Sequence, residues 1–145
     1  MNSDDREVRI YTKVVADLFH HGHIRFFKAA RELGTHLTVG VVPDDRVAAY
    51  KGKTPVFSLS ERLEIVSACR WVDQVTSNGP KLITKSFMEE NNFHIYAFGA
   101  FNDQEYSTKL NDCPDLPETM RSVIPYTPGI SSTIIRERIA GLGRP

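Results

Sequence analysis

Val8-Arg9-Ile10-Tyr11-Thr12-Lys13-Val14-Val15-Ala16-Asp17-Leu18-Phe19-His20-His21-Gly22-His23-Ile24 decides how this chain folds. Residues 8–15 are rich in β-branched side chains and too few for a stable helix, which predicts a buried first strand. From Ile24 the pattern turns helical. Phe26, Ala29, Ala30 and Leu33 follow the i, i+3, i+4, i+7 spacing of one buried face, and Gly34 is placed to end the helix. Residues 37–42 then read as a second buried strand. Strand, helix and strand make a βαβ unit, with parallel strands and a right-handed crossover. The histidines fall where a strand becomes a helix, a place to hold phosphate on unpaired backbone N–H groups.

Working outward, Asp44 and Asp45 lead into Tyr50-Lys51-Gly52-Lys53-Thr54-Pro55, read as a flexible basic segment without regular structure. Ser58 and Glu61 have capping-box spacing and open a helix reaching Arg70. Residues 72–76 read as a short strand, 77–80 as a turn, 84–91 as a helix and 94–98 as a strand ending at Gly99. The polar segment 102–119 lacks a period and reads as a long loop. Residues 122–125 read as a last strand, followed by a hydroxyl-rich turn and a helix over 134–139. The alternation predicts an α/β fold, a Rossmann-like three-layer sandwich with a mainly parallel central sheet. Ligands on such sheets bind outside the carboxyl ends of the strands, so the three unusual segments should meet there.

Length and charge bound what else is possible. The 145 residues, 41% hydrophobic, suit one domain over 1–145, with residues 140–145 read as the start of a linker. Eighteen basic and eighteen acidic residues balance, so no global field recruits nucleic acid or an anionic membrane. Cys69 and Cys113 lack metal-ligand spacing and read as reduced thiols. The polar, acidic first seven residues and the lack of any apolar run near about 20 residues predict a cytoplasmic protein.

Three segments carry the chemistry. Gly22 allows close backbone approach, and His20 and His23 can project to one side of a first helical turn as donors to a transferring phosphoryl group. A capping role would also explain one of these histidines. Lys51 and Lys53 around Gly52 suit a clamp over a polyphosphate, although solvated basic loops are common. Thr127, Gly129, Ser131, Ser132 and Thr133 load a helix start with hydroxyls beyond what capping needs. Together they describe a nucleoside-triphosphate site without a P-loop sequence.

On these residues the chain resembles the cytidylyltransferases of the HxGH nucleotidyltransferase superfamily, over residues 11–139. Asp17-Leu18-Phe19-His20-His21-Gly22-His23 is similar to the first family motif. Tyr50-Lys51-Gly52 with Glu61-Arg62 is similar to its lysine loop and following helix. Arg70-Trp71-Val72-Asp73-Gln74-Val75 and Gly129-Ile130-Ser131-Ser132-Thr133 are similar to two further motifs. The resemblance implies a homodimer that joins CTP to a small phosphorylated alcohol and releases pyrophosphate. It implies catalytic roles for His20, His23 and Lys51, and nucleotide contacts from Gly22, Arg62, Thr127, Gly129, Ser131 and Ser132. Mg²⁺ would ride on the nucleotide, with no protein metal ligands. Asp17 and Arg70 would orient the motif and the subunit contact.

Three departures stand out. Tyr126 replaces the arginine that usually opens the last motif, and Gly99-Ala100-Phe101 replaces acidic residues after the late strand. Lys13 stands where the choline and ethanolamine enzymes carry an acid, which disfavours a cationic headgroup and makes Lys13, with Lys51, a candidate acceptor contact. Lys13 and Tyr126-Thr127-Pro128-Gly129-Ile130-Ser131 are similar to the cytidylyltransferase domains fused to phosphoenolpyruvate phosphomutases in phosphonate biosynthesis. That similarity implies an acceptor such as 2-hydroxyethylphosphonate and a native fusion to a second catalytic domain. The alternatives are a choline-, ethanolamine- or glycerol-phosphate enzyme, an ATP-dependent adenylyltransferase, and a non-catalytic nucleotide-binding domain.

Overall fold

Alternation along the first strand separates two hydrophobic layers: Ile10 packs into one core and Tyr11, its neighbour, into the other. In the computed structural model, which describes residues 6–143, the elements run β1 (Arg9–Val14), α1 (His21–Arg31), β2 (His36–Val41), α2 (Asp44–Lys51), α3 (Leu59–Ser67), β3 (Gln74–Thr76), α4 (Lys85–Glu90), β4 (Ile95–Ala100), α5 (Asp103–Lys109), β5 (Arg121–Pro125) and α6 (Ser132–Leu142). Single 3₁₀ turns lie at Leu110–Asp112 and Glu118–Met120. The sheet order is β3-β2-β1-β4-β5, and every neighbouring pair is parallel. The fold is therefore the expected Rossmann-like α/β sandwich, with all of its strands parallel.

One layer joins Phe26, Phe27 and Ala30 of α1 and Val66 of α3 to Ile10, Leu37, Val39, Val41 and Ala97 of the sheet. The other joins Met88 of α4, with Ile83, Phe93, Cys113 and Leu116, to Tyr11, Tyr96 and Phe98. Strand order reverses between β1 and β4, which opens a crevice at their carboxyl ends, where such sheets take ligands. No helix among the described residues is long and apolar enough to cross a membrane.

Several elements depart from the sequence reading for identifiable reasons. Helix α2, absent from the sequence reading, extends through Lys51 into the first two residues of the segment expected to be flexible. Asp44 and Asp45 in its first turn favour the positive end of the helix dipole, and Gly52 closes it in the left-handed conformation at φ 76°. The supposed long loop contains α5, capped by Asn102, whose side chain accepts from the Glu105 N–H at 2.9 Å. It has no buried residue, so no apolar period marked it. Leu33 is exposed rather than part of the α1 face, because the helix stops at Arg31. Gly34 serves close approach instead of a left-handed cap: a Cβ there would lie 2.3 Å from the Val8 carbonyl oxygen. The helix expected to reach Arg70 ends at Ser67, and α6 occupies residues 140–142 of the expected linker. Residues 144 and 145 of that linker lie outside the described residues.

Arg62 was expected among the nucleotide contacts and is instead fully buried inside the fold. Its Nη1 donates to the carbonyls of Val15 and Val42, both at 2.8 Å, and its Nε to that of Phe57 at 3.2 Å. Its Nη2 pairs with Asp44 at the start of α2. One guanidinium thus ties together the chain just beyond β1 and β2, the entry to α3 and the start of α2. Arg62→Met leaves three carbonyls without this partner, and unfolding should become easier by about 3 kcal/mol or more. Denaturant titration checks this, and a change under about 1 kcal/mol would contradict it.

Candidate functional site

The histidine corner is a reciprocal helix cap. His20 is the N-cap of α1, and its Nδ1 accepts the Gly22 N–H at 3.0 Å. His23, one turn on, accepts the His20 N–H on its own Nδ1 at 3.1 Å. The pair fills the roles that Ser or Thr and Glu take in an ordinary capping box. With both Nδ1 atoms accepting, each neutral ring carries its proton on Nε2. The rings lie 4.0 Å apart between centroids. Gly22 is required here because a Cβ would approach the His20 ring to 2.8 Å. Burial, reinforced by His20, pulls the pKa of His23 down to about 4, and burial with His21 lowers that of His20. At neutral pH the corner therefore presents neutral N–H donors.

These rings line a cavity of about 640 Å³ at the β1/β4 crevice. Seven Lys or Arg side chains and three carboxylates share its wall, in a chain whose formal net charge is zero. Each carboxylate has a cation beside it: Asp17 with Arg136 at 2.9 Å, Glu105 with Lys109 at 3.3 Å, and Asp112 with Lys13 at 3.6 Å. Among the described residues no cluster of three His, Cys, Asp or Glu side chains is placed to hold a metal. Mg²⁺ held through substrate phosphates would need no such cluster.

Asp17 assembles the site. Its carboxylate accepts the backbone N–H groups of Val56 and Phe57 at 2.8 and 2.9 Å, and its own carbonyl accepts from Ser132 Oγ at 2.9 Å. With Arg136 this joins the histidine motif to the loop after Lys51 and to the start of α6. Lys51 stands at the last position of α2. Its pKa is lowered first by burial and then by Arg136, with Asp17 opposing. Ser131 caps α6, accepting the Ile134 N–H at 3.1 Å.

The structure brings Lys13, His20, Gly22, His23, Lys51, Thr127, Ser131 and Ser132 to this one cavity. Arg62 and Gly129 are not part of its wall. Gly129, at φ 82°, makes the left-handed turn that connects Thr127 to Ser131. Lys13 donates to the Lys81 carbonyl at 2.8 Å, and burial lowers its pKa despite Asp112. Arg46, Lys109 and Arg136 are also on the wall. The sequence reading missed them: Arg46 and Lys109 sit on the two unread helices, and Arg136 follows the hydroxyl-rich turn without a motif of its own.

The His23 shift has a signed consequence. Its folded pKa lies below the unfolded value near 6.5, so the unfolded chain binds more protons between them. Stability present above pH 6.5 is lost as the pH falls from there through about 4. Histidine ring NMR should place the His23 midpoint near 4, and a midpoint at or above 6.5 would contradict the buried neutral cap.

The chain is similar to known proteins along nearly its whole length. Choline-phosphate cytidylyltransferase 2 of Arabidopsis thaliana is 34% identical over 95% of this chain and 46% of its own length. The FAD synthase of Pyrococcus horikoshii is 33% identical over 91% of this chain and 81% of its own length. The chain thus spans under half of the first relative and most of the second. Among solved structures, the lipopolysaccharide core biosynthesis protein from Thermoplasma volcanium superposes with a TM-score of 0.60 at 26% identity, covering 84% of this chain and 98% of that one. Residues 15–138 match the cytidylyltransferase-like family, and the chain belongs to it.

Proposed function

We propose that this chain is a CTP-dependent cytidylyltransferase that transfers CMP to a small phosphonate or phosphomonoester and releases pyrophosphate. The observation that carries the reading is the pair of neutral histidines, locked by their own helix cap as Nε2–H donors inside a strongly cationic cavity. An acceptor oxygen attacks the α-phosphorus, forming one P–O bond while the bond to the β-phosphate oxygen breaks. The acceptor is already anionic, so no general base is needed. His20 and His23 stabilise charge on the transferring phosphoryl, and their preorganisation by backbone bonds avoids reorientation during the reaction. Lys51 bridges nucleotide and acceptor phosphates. Thr127 and Ser131 offer hydroxyls, and Ser132 its backbone N–H, to phosphate at the start of α6, where unpaired N–H groups favour anions. Mg²⁺ accompanies the triphosphate as its counterion. Homodimer assembly and a native fusion belong to the same reading on the strength of the motif resemblance.

Lys13 selects the acceptor in this reading. Its ammonium, with Arg46 and Lys81 on the same wall, disfavours a quaternary or primary ammonium headgroup and favours an anionic or hydroxylated one. A hydroxyalkylphosphonate such as 2-hydroxyethylphosphonate suits that wall, and glycerol phosphate is the nearest phosphomonoester. Against this, choline- and ethanolamine-phosphate enzymes are among the relatives, so both acceptors belong in the assay. A second reading has its own observation: the FAD synthase relative matches across most of both chains, which favours ATP as donor.

Pyrophosphate release with each nucleoside triphosphate and an acceptor panel separates these readings. CTP with a hydroxyalkylphosphonate should turn over fastest, and turnover with ATP alone would contradict the cytidylyl assignment. His20→Ala should lower kcat by about 10²–10³-fold, as removal of a transition-state donor does. Wild-type binding without turnover on any acceptor would instead mark a non-catalytic domain. Lys13→Asp should raise KM for an anionic acceptor by about tenfold while KM for CTP moves under about threefold. Equal shifts would remove Lys13 from the acceptor contact.

A further inference from the structure

Tyr126, directly after β5, brings no charge to the cavity wall, yet the wall there is not neutral. Lys109, the last residue of α5, reaches the same point from a different element. Its ammonium donates to the Gly99 carbonyl at 2.6 Å and to the Tyr126 hydroxyl, and it lies 4.6 Å from the centre of the Tyr126 ring. Glu105, one turn earlier on α5, lies 3.3 Å away. We propose that Lys109 is a nucleotide-binding residue, whose ammonium leaves Glu105 to engage the polyphosphate and so supplies from α5 the charge absent at position 126.

Three features of the site support this. First, the placement is built. A Cβ at Gly99 would lie 2.2 Å from the Tyr126 ring, so the glycine makes room for the tyrosine that seats the lysine. Phe101, 60% exposed and 4.6 Å from Tyr126 between ring centroids, flanks the same ring. Second, the lysine is positioned to be shared. Glu105 and Lys109 are each 30% exposed in their side chains, so their ion pair is partly solvated and an incoming polyanion can compete for it. Third, Lys109 raises the local positive potential with Lys51 and Arg136. These cations act on one another: Arg136 and Lys109 both contribute to holding the Lys51 pKa down. Seven cations against three carboxylates leave the cavity an excess of positive charge that favours an anion, and a triphosphate is the anion of the reading on which this inference rests. A lysine serving only to join the ends of β4 and β5 would need none of that convergence.

The test is calorimetric binding of CTP, CMP and ATP to the full chain and its variants, with melting temperature as the check on folding. Lys109→Met should weaken CTP by about tenfold or more and CMP by under about threefold, because one charge-assisted contact to the polyphosphate is lost and base and ribose contacts are kept. Adding Tyr126→Arg to that variant should return CTP affinity to within about threefold of wild type, since charge is restored from the other element. Equal losses for CMP and CTP, or no loss for CTP, would overturn the proposal. Should Lys109→Met fail to fold, Glu105→Gln reads the same claim: tighter CTP binding supports it, and unchanged or weaker binding overturns it. Wild-type chain that binds neither CTP nor ATP overturns this inference together with the nucleotide reading. Wild-type chain that binds CTP, matched by Lys109→Met, overturns the lysine's role alone.

Discussion

One carboxylate holds the working end of this molecule together. Asp17 lies between two residues in the left-handed region, Ala16 at φ 59° and Leu18 at φ 49°. Each costs about 1–2 kcal/mol relative to ordinary backbone. The strain persists because the kink carries Asp17 into a pocket where two amides and Arg136 converge on its carboxylate. Strand β1 would otherwise run straight past the site. Instead the chain turns, delivers His20 to the N-cap position and fixes the loop behind Lys51 in the same stroke. Arg62 does the complementary task with the opposite charge, gathering carbonyls where Asp17 gathers amides. Strained backbone of this kind clusters at functional sites, and here the restraining partners can be named.

The charge distribution follows from that scaffold. A chain with no net charge presents seven cations and three carboxylates in one crevice, so its field is local. Neutral histidines complete it. Were His20 and His23 protonated, their Nδ1 atoms could not accept the backbone N–H groups that start α1, and the helix would lose its cap. The requirement that the helix begin correctly and the requirement that the rings donate from Nε2 are met by the same two bonds. That coupling explains why a glycine lies between them: any side chain at position 22 would push against the His20 ring.

Much of this was legible in the sequence, and the failures have physical causes. The βαβ unit showed because Ile10, Phe26, Ala30 and Leu37 are buried with the expected periods, although Phe27, also buried, was not among the residues read. Helix α3 showed because Ser58 and Glu61 form a reciprocal cap. Helices α2 and α5 did not show, since they bury little and are specified by end signals, Asp44-Asp45 with Gly52 and Asn102 with Glu105. Missing them hid Arg46 and Lys109. Arg62 was misread for a different reason: a motif can place an arginine beside a site without saying whether its guanidinium faces the ligand or the backbone. Burial decides that, and burial of a charge is not written in spacing.

Asp17 ties the histidine motif to the lysine segment, and amide hydrogen exchange of Asp17→Asn reads that tie directly. The substitution keeps the shape while removing the charge and one acceptor. Exchange at whichever of the Val56 and Phe57 amides loses its oxygen acceptor should rise by about tenfold or more, with the amides of β1 and β2 keeping their protection. Unchanged protection at Val56 and Phe57 would contradict the account.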